Sequence, residues 1–213
     1  MVANPQHNDR HGNMNPHYDD AYENDIKDMH GIPMSERDFE RLVSDETEYH
    51  YEWIDGIVYN MTGSSPRHSV IASRIDRLLS EQIGTDGPCR VHRDQFVFIP
   101  GRPPGAPDAV LTCDPADWDE DKHLKPFKIQ SPLIVVEVLS PSTERFDRTE
   151  KFARYKLCAS LEAYILVNQY KRHVEVYQRT RDWQQELYVA DQIVQFDHFD
   201  LELPLDAIYE GVL

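Results

Sequence analysis

A seven-residue apolar run with one intruder fixes the centre of this chain. Leu133, Ile134, Val135, Val136, Val138 and Leu139 are aliphatic and lead directly into Ser140-Pro141-Ser142. A run this short, rich in β-branched residues and stopped by a turn, is the pattern of a strand buried on both faces of a sheet. Glu137 stands inside it. An uncompensated charge in such a strand costs several kcal/mol, so Glu137 must be protonated, paired with a cation or holding a metal ion.

The segments around this strand alternate between the two periodicities of regular structure. Residues 49–62 alternate and carry Asp55-Gly56, a pair suited to a tight hairpin turn, which predicts two antiparallel strands. Ser35, with Asp38 three residues on and Phe39, Leu42 and Val43 at helical spacing, predicts a short capped helix. From Pro66, residues Ile71, Ile75, Leu78 and Leu79 form the stripe of an amphipathic helix ending near Gly84. Residues 89–100 and 107–113 read as two strands joined by a Gly/Pro-rich link, and 114–130 as an acidic loop. The stretch 142–160 starts with Ser/Thr, carries Glu144 in its first turn and continues as a helix through Ala153 and Leu157. Three further strands follow in EAYILVNQ, HVEVYQ and WQQELYVA, the last two as hairpin partners. A strand, helix, strand order at 133–168 flanked by hairpins predicts an α/β fold, a mixed β-sheet flanked by helices with additional antiparallel hairpins.

Composition narrows what such a fold can be for. At 213 residues, 40% hydrophobic, the chain suits one domain preceded by a tail. Residues 1–33 are rich in Asn, Asp, His and Pro without an apolar period, so they are expected to be a disordered acidic tail, with the domain in 34–213. His7, His11, His17 and His30 match no zinc spacing. The net charge of -16 argues against binding nucleic acid through a broad basic surface. Half of that excess lies in residues 1–50, with 12 Asp/Glu against 4 Lys/Arg, so a local basic patch remains compatible. Cys89, Cys113 and Cys158 are widely separated and suggest neither a disulfide framework nor a zinc pair, which fits a reducing cytoplasm. No apolar run approaches the length of a membrane span or signal peptide, so a soluble protein without membrane association is expected.

Three carboxylates share one anomaly. Glu52 sits in Tyr51-Glu-Trp-Ile, Asp108 opens the strand Ala109-Val-Leu, and Glu137 lies in its aliphatic run, each an acid where a sheet calls for hydrocarbon. If the strands are neighbours, their repulsion raises at least one pKa unless a divalent cation lies between them, and Mg²⁺ or Mn²⁺ is the hard ion such oxygens prefer. Lys151 follows Asp147 at i+4 on the next helix. Two readings stand side by side: a surface ion pair worth a few tenths of a kcal/mol, or an ammonium leaning over the carboxylates.

The segments YEWIDGIVY, SPRHSVIASRI, PDAVLTCDP, IVVEVLSPST followed by DRTEKFARY, and EAYILVN followed by KRHVEVYQ resemble, in content and order, the PD-(D/E)XK nuclease superfamily, most closely the Uma2-type endonucleases of bacteria (DUF820). The resemblance implies a restriction-endonuclease-like fold, with Glu52, Asp108, Glu137 and the Val138 carbonyl as metal ligands. It departs from the superfamily pattern where Leu139 occupies the lysine position after Glu137, and Lys151 then takes the catalytic lysine's role. His68 matches the SP-x-H segment and shares a helix stripe with Ile71 and Ile75, which makes it an auxiliary group that shapes the site, with proton transfer or phosphate contact as the alternative. Gly63-Ser64-Ser65 lacks the elbow of a serine nucleophile and reads as a helix-capping loop.

The expected activity is metal-dependent hydrolysis of DNA phosphodiesters, with Arg67, Arg93, Arg145, Arg148 and Arg154 as candidate substrate contacts and a homodimer implied by the resemblance. A catalytically silent nuclease fold acting as a binding or assembly partner is the alternative, favoured by the charge. Action on a small phosphorylated substrate is a third.

Overall fold

The computed structural model describes residues 31–43, 51–60, 65–118 and 128–213. The expected tail lies outside these residues up to position 30, but its last three positions do not, and Ile32–Pro33 form strand β1, paired antiparallel with Ile57 and Val58.

Asp55 and Gly56 both have positive φ, at 50° and 85°, and turn β2 (Tyr51–Ile54) into β3 (Ile57–Asn60) with Ile54 opposite Ile57. That two-residue connection is the tight hairpin expected of an Asp-Gly pair. The helix Glu36–Leu42, capped by the Ser35 side chain on the Asp38 N–H, places Phe39 against Tyr51 and Val58.

The main sheet has six strands in the order β12-β11-β10-β9-β7-β4. It is built from β4 (Arg90–His92), β7 (Ala109–Thr112), β9 (Pro132–Leu139), β10 (Ala163–Asn168), β11 (His173–Gln178) and β12 (Gln185–Val189). Only β9 and β10 run parallel, and every other pairing is antiparallel, giving the mixed sheet that the segment order predicts.

Strand β9, carrying Glu137, is central and pairs with β10 and β7. Alternation sends Ile134, Val136 and Val138 to one face, into a core with Ile71, Ile75 and Leu79 of the helix Pro66–Ile83. Val135 and Leu139 go to the other, with Phe152, Tyr155 and Tyr164. Each buried aliphatic side chain contributes about 1.5–3 kcal/mol. Glu137 shares the second face, the one covered by residues 144–155, and that parity decides which helix can reach it.

Residues 144–155 are not a plain α-helix. Glu144–Phe146 and Phe152–Tyr155 are α-helical, and Asp147–Lys151 between them is a π-helical turn. Such widened turns recur at functional sites. The Asp147 carbonyl accepts a hydrogen bond from the Tyr164 hydroxyl of β10 at 2.9 Å, which fastens the turn to the sheet.

Four further expectations are corrected. The stretch 89–100 splits between β4 and β5 (Phe96–Ile99), which lie in different sheets. The Gly/Pro-rich link is itself strand β6 (Arg102–Gly105), joined to β5 through Gly101 at φ 68°. Pro103 and Pro104 have no N–H to give a ladder, which is why β6 reads as a loop. The acidic segment contains a 3₁₀ turn at Pro115–Asp117 and, beyond residues outside the described set, β8 (Lys128–Ile129) beside β5. Finally, Cys89 and Cys113 are joined in a disulfide across β4 and β7, where Arg90 opposite Thr112 sets the register, and Cys158 is free and buried. The inference of a reducing compartment from unpaired cysteines falls with it.

The C-terminal segment forms a hairpin, β13 (Ile193–Phe196) and β14 (Phe199–Pro204), and a short helix, Leu205–Tyr209, that pack against the Pro66–Ile83 helix side of the core. No helix among the described residues is long and apolar enough to cross a membrane.

Candidate active site

Four elements meet around one ammonium group. The π turn brings Lys151 under the sheet, where Nζ forms an ion pair with Glu52 of β2, lies 2.8 Å from Glu137 Oε1 of β9 and is 3.7 Å from Asp147 Oδ1. It also lies 3.5 Å from the Ala106 carbonyl. Glu52, Glu137, Asp147 and Lys151 are each no more than 4% exposed, so the surface ion-pair reading of Lys151 is replaced by a buried cluster.

Asp108 stands at the entrance to β7 and is held from two sides. The Val138 N–H donates to its Oδ2 at 2.6 Å, and His68 Nε2 lies 3.3 Å from the same oxygen. His68 is carried by the first turn of the helix Pro66–Ile83. Burial alone would lower its pKa, but the hydrogen bond and charge of Asp108, with a hydrogen bond to the Val138 backbone, raise it above the ordinary value. The imidazole is therefore shifted toward the cationic form.

The helix is locked to the sheet by a chain of hydrogen bonds. The His68 N–H donates to Ser65 Oγ at 3.1 Å, Ser65 donates to Gln169 Oε1 at 2.6 Å, and Gln169 Nε2 donates to the Leu139 carbonyl at 2.7 Å. Ser65 is thus a cap, as the loop reading of that segment implies, while Gly63 and Ser64 lie outside the described residues.

The cluster floors a cleft of ≈ 530 Å³ that Glu52, His68, Asp108, Glu137, Val138 and Lys151 all line. Of the five arginines singled out from sequence, Arg93 lines it, with a guanidinium nitrogen 2.8 Å from Ser73 Oγ. Arg67 packs its guanidinium over the ring of Tyr170, another lining residue. Arg145 is exposed outside the lining. Arg148 is bound by Glu175 at 2.7 Å and by Glu144 at 3.0 Å, and Arg154 by Glu150 and the Trp53 carbonyl, the latter at 3.0 Å. These last two arginines tie the helical segment to β11 and to the hairpin that carries Glu52.

Burial and charge crowding act together on the acids. Burial pushes the Glu137 carboxyl well above its ordinary range; Lys151 opposes this, and Asp147, Asp108 and Glu52 add to it. Burial likewise raises Asp147 to about 6 against the pull of Lys151. Burial would lower the pKa of Lys151, yet Glu137, Glu52 and Asp147 outweigh it and keep the ammonium charged.

Among the described residues, no three acid, imidazole or thiol side chains are placed to form a ready-made ion site, because the ammonium lies between Glu52 and Glu137. The donor set still fits a hard divalent cation. Its oxygens come from carboxylates and backbone carbonyls, three acids surround a single ammonium, and Glu52 Oε2 is buried without a hydrogen-bond partner.

Sequence reasoning missed Asp147 as a member of the cluster, and missed Gln169 and Tyr170. The one available signal was the i, i+4 spacing of Asp147 and Lys151, which does not say whether the pair is buried.

Comparison with known proteins supports the same frame. An uncharacterized protein of Synechocystis sp., slr1290, is 32% identical over 166 residues, covering 76% of this chain and 84% of its own length. A second protein of that organism, sll1609, is 27% identical over 141 residues, covering 62% of this chain and 74% of its own. The crystal structure of a "putative nuclease belonging to DUF820" from Anabaena variabilis superposes with a TM-score of 0.69 at 19% identity, covering 85% of this chain and all of that one. The fold is thus nuclease-like, α/β with a mixed sheet. Residues 37–206 match Uma2, described as "Putative restriction endonuclease", a span that contains the whole cluster, and the chain belongs to the Uma2 family.

Proposed function

We propose that the protein is a metal-dependent endonuclease that hydrolyses DNA phosphodiester bonds at this cleft. The observation that carries the reading is the convergence of Glu52, Asp108, Glu137 and Lys151 from four separate elements onto one cleft floor. Carboxylates this buried are costly to keep as scaffold.

Glu52, Asp108 and Glu137, with the Val138 carbonyl, would hold a Mg²⁺ or Mn²⁺ ion. Such an ion supplies Lewis-acid stabilisation of charge on the phosphoryl oxygens. Lys151 remains protonated among its acids, separates Glu52 from Glu137 and presents N–H donors toward the attacking water or a phosphate oxygen. His68, oriented by Asp108, offers a second donor at the cleft wall. In the reaction a water oxygen bonds to phosphorus as a P–O ester bond breaks. The proton from water passes to a cleft carboxylate, and the departing oxygen takes one from solvent.

The test is supercoiled plasmid incubated with purified protein and Mg²⁺ or Mn²⁺. Nicking is expected from the wild type and not from Glu137→Ala or Asp108→Ala; equal nicking by all three, or none, refutes the proposal. A second reading, a nuclease fold acting as an assembly partner without turnover, is favoured by the net charge of -16 and by the ammonium lying where an ion would bridge. Absence of nicking together with absence of calorimetric Mg²⁺ or Mn²⁺ binding would select it.

A further inference from the structure

We infer that Tyr170 is a stacking platform for an unpaired nucleobase, so that the cleft takes a single strand or a locally opened duplex rather than a continuous double helix. This rests on the nuclease reading above and narrows its substrate class.

The first observation is the ring itself. Tyr170 lines the same cleft as Glu137 and Lys151 and is 53% exposed, a large aromatic surface open to a ligand in that cleft. Its backbone is fixed. The Tyr170 and Lys171 N–H groups donate to the Asn168 side chain at 2.8 and 3.0 Å, and Gln169 next to it is buried and bound at both ends of its amide. A ring on an anchored turn loses little conformational freedom when a base is laid on it. The Arg67 guanidinium, 5.6 Å from the ring centroid, adds the cation that accompanies such platforms.

The second observation is a shortage of positive charge. Among the described residues lining the cleft, five are carboxylates and two, Lys151 and Arg93, are cations other than His68. Lys151 is buried, and Arg148, Arg154, Arg179 and Arg181 are paired with acids elsewhere. A protein that grips a duplex through about 6–10 phosphates neutralises them with Lys and Arg side chains. Stacking needs none, and each base on an aromatic ring contributes about 1–3 kcal/mol. A volume of ≈ 530 Å³ also lies in the range of clefts that enclose one small ligand.

The test is fluorescence anisotropy with labelled oligonucleotides of one sequence as single-stranded DNA, single-stranded RNA and duplex DNA. It uses Glu137→Gln protein to prevent cleavage, and wild type in EDTA in case that variant does not fold. A single strand, DNA or RNA, should bind more tightly than the duplex. Tyr170→Ala should weaken single-strand binding by about five- to hundred-fold, and Tyr170→Phe should retain it. Duplex binding as tight as single-strand binding, or Tyr170→Ala affinity equal to wild type, overturns the inference. If Glu137-dependent plasmid nicking persists in that case, the nuclease reading survives without the platform. No binding of any strand and no nicking sinks both.

Discussion

Lys151 Nζ lies 2.8 Å from Glu137 Oε1, and the two side chains are 6% and 5% exposed. A buried cation shared by three acids is worth far more to the fold than a surface pair, because removing it leaves charges that water cannot reach. Lys151→Met keeps the length of the side chain and deletes the charge. It should abolish nicking and lower the stability of the metal-free protein at neutral pH by about 3–5 kcal/mol. Adding Glu137→Gln should restore much of that stability without restoring activity. Urea unfolding of the two single variants and the double variant measures the coupling, and a loss below about 1 kcal/mol in Lys151→Met would show that the pair is not closed in solution.

The crowding of acids also gives the metal-free protein an unusual pH dependence. Asp147 titrates at about 6 in the folded chain against 3.8 ordinarily. Between those values the folded state holds a proton that the unfolded state has released. Stability from this group is therefore present at pH 4 and lost as pH rises through 6, by at most about 3 kcal/mol. Glu137, raised for the same reason, extends the loss upward. A bound divalent cation should reverse the trend, since it replaces the protons. Urea midpoints from pH 4 to 8 in EDTA and in saturating Mg²⁺ or Mn²⁺ check this, and a midpoint that rises with pH in EDTA would refute it.

How much of this was legible in the sequence depends on whether the signal is local. Glu137, Glu52 and Asp108 stand out because an acid in an apolar strand contradicts its surroundings, and the Asp55-Gly56 hairpin and the Ser65 cap follow from backbone preferences of a few residues. The fate of Lys151 does not. Whether its helix covers the face that Glu137 points to depends on strand parity and on a π turn, which no residue between Asp147 and Lys151 announces. Strand β6 hides behind two prolines, and the hairpin of β13 and β14 behind polar residues on its exposed positions, Gln195 and Glu202 among them.

The disulfide is invisible for a similar reason. Cys89 and Cys113 are 24 residues apart, and only the register of β4 against β7 makes them neighbours. Closing a loop of that length removes denatured-state entropy worth about 3–4 kcal/mol. Purified protein alkylated without reductant should therefore carry a single modified thiol once unfolded, that of Cys158. Cys89→Ser/Cys113→Ser should unfold at lower urea by a comparable free energy while still nicking plasmid, since neither sulfur lines the cleft. Three alkylated thiols in protein never exposed to reductant would rule the bond out.

Gly105 makes room for a ring that backs the site. A Cβ built at Gly105 would collide with the Tyr155 hydroxyl and stand 2.7 Å from its Cζ, so Gly105→Ala cannot be accommodated without moving a side chain that is fully buried. That overpacking should cost about 1–3 kcal/mol. The Tyr155 hydroxyl has no hydrogen-bond partner in the structure, and burial, followed by the nearby charges of Glu137 and Glu52, holds its pKa well above the ordinary value. Tyr155→Phe removes an unsatisfied polar atom and leaves the ring, so it should be neutral or stabilising by up to about 1 kcal/mol. It should also recover part of the Gly105→Ala loss, because the atom closest to the new methyl group is gone. Unfolding free energies of the two single variants and the double variant decide the matter. If Tyr155→Phe instead destabilises by more than about 1 kcal/mol, the hydroxyl donates to one of the cluster carboxylates, and Tyr155 joins Lys151 in neutralising them.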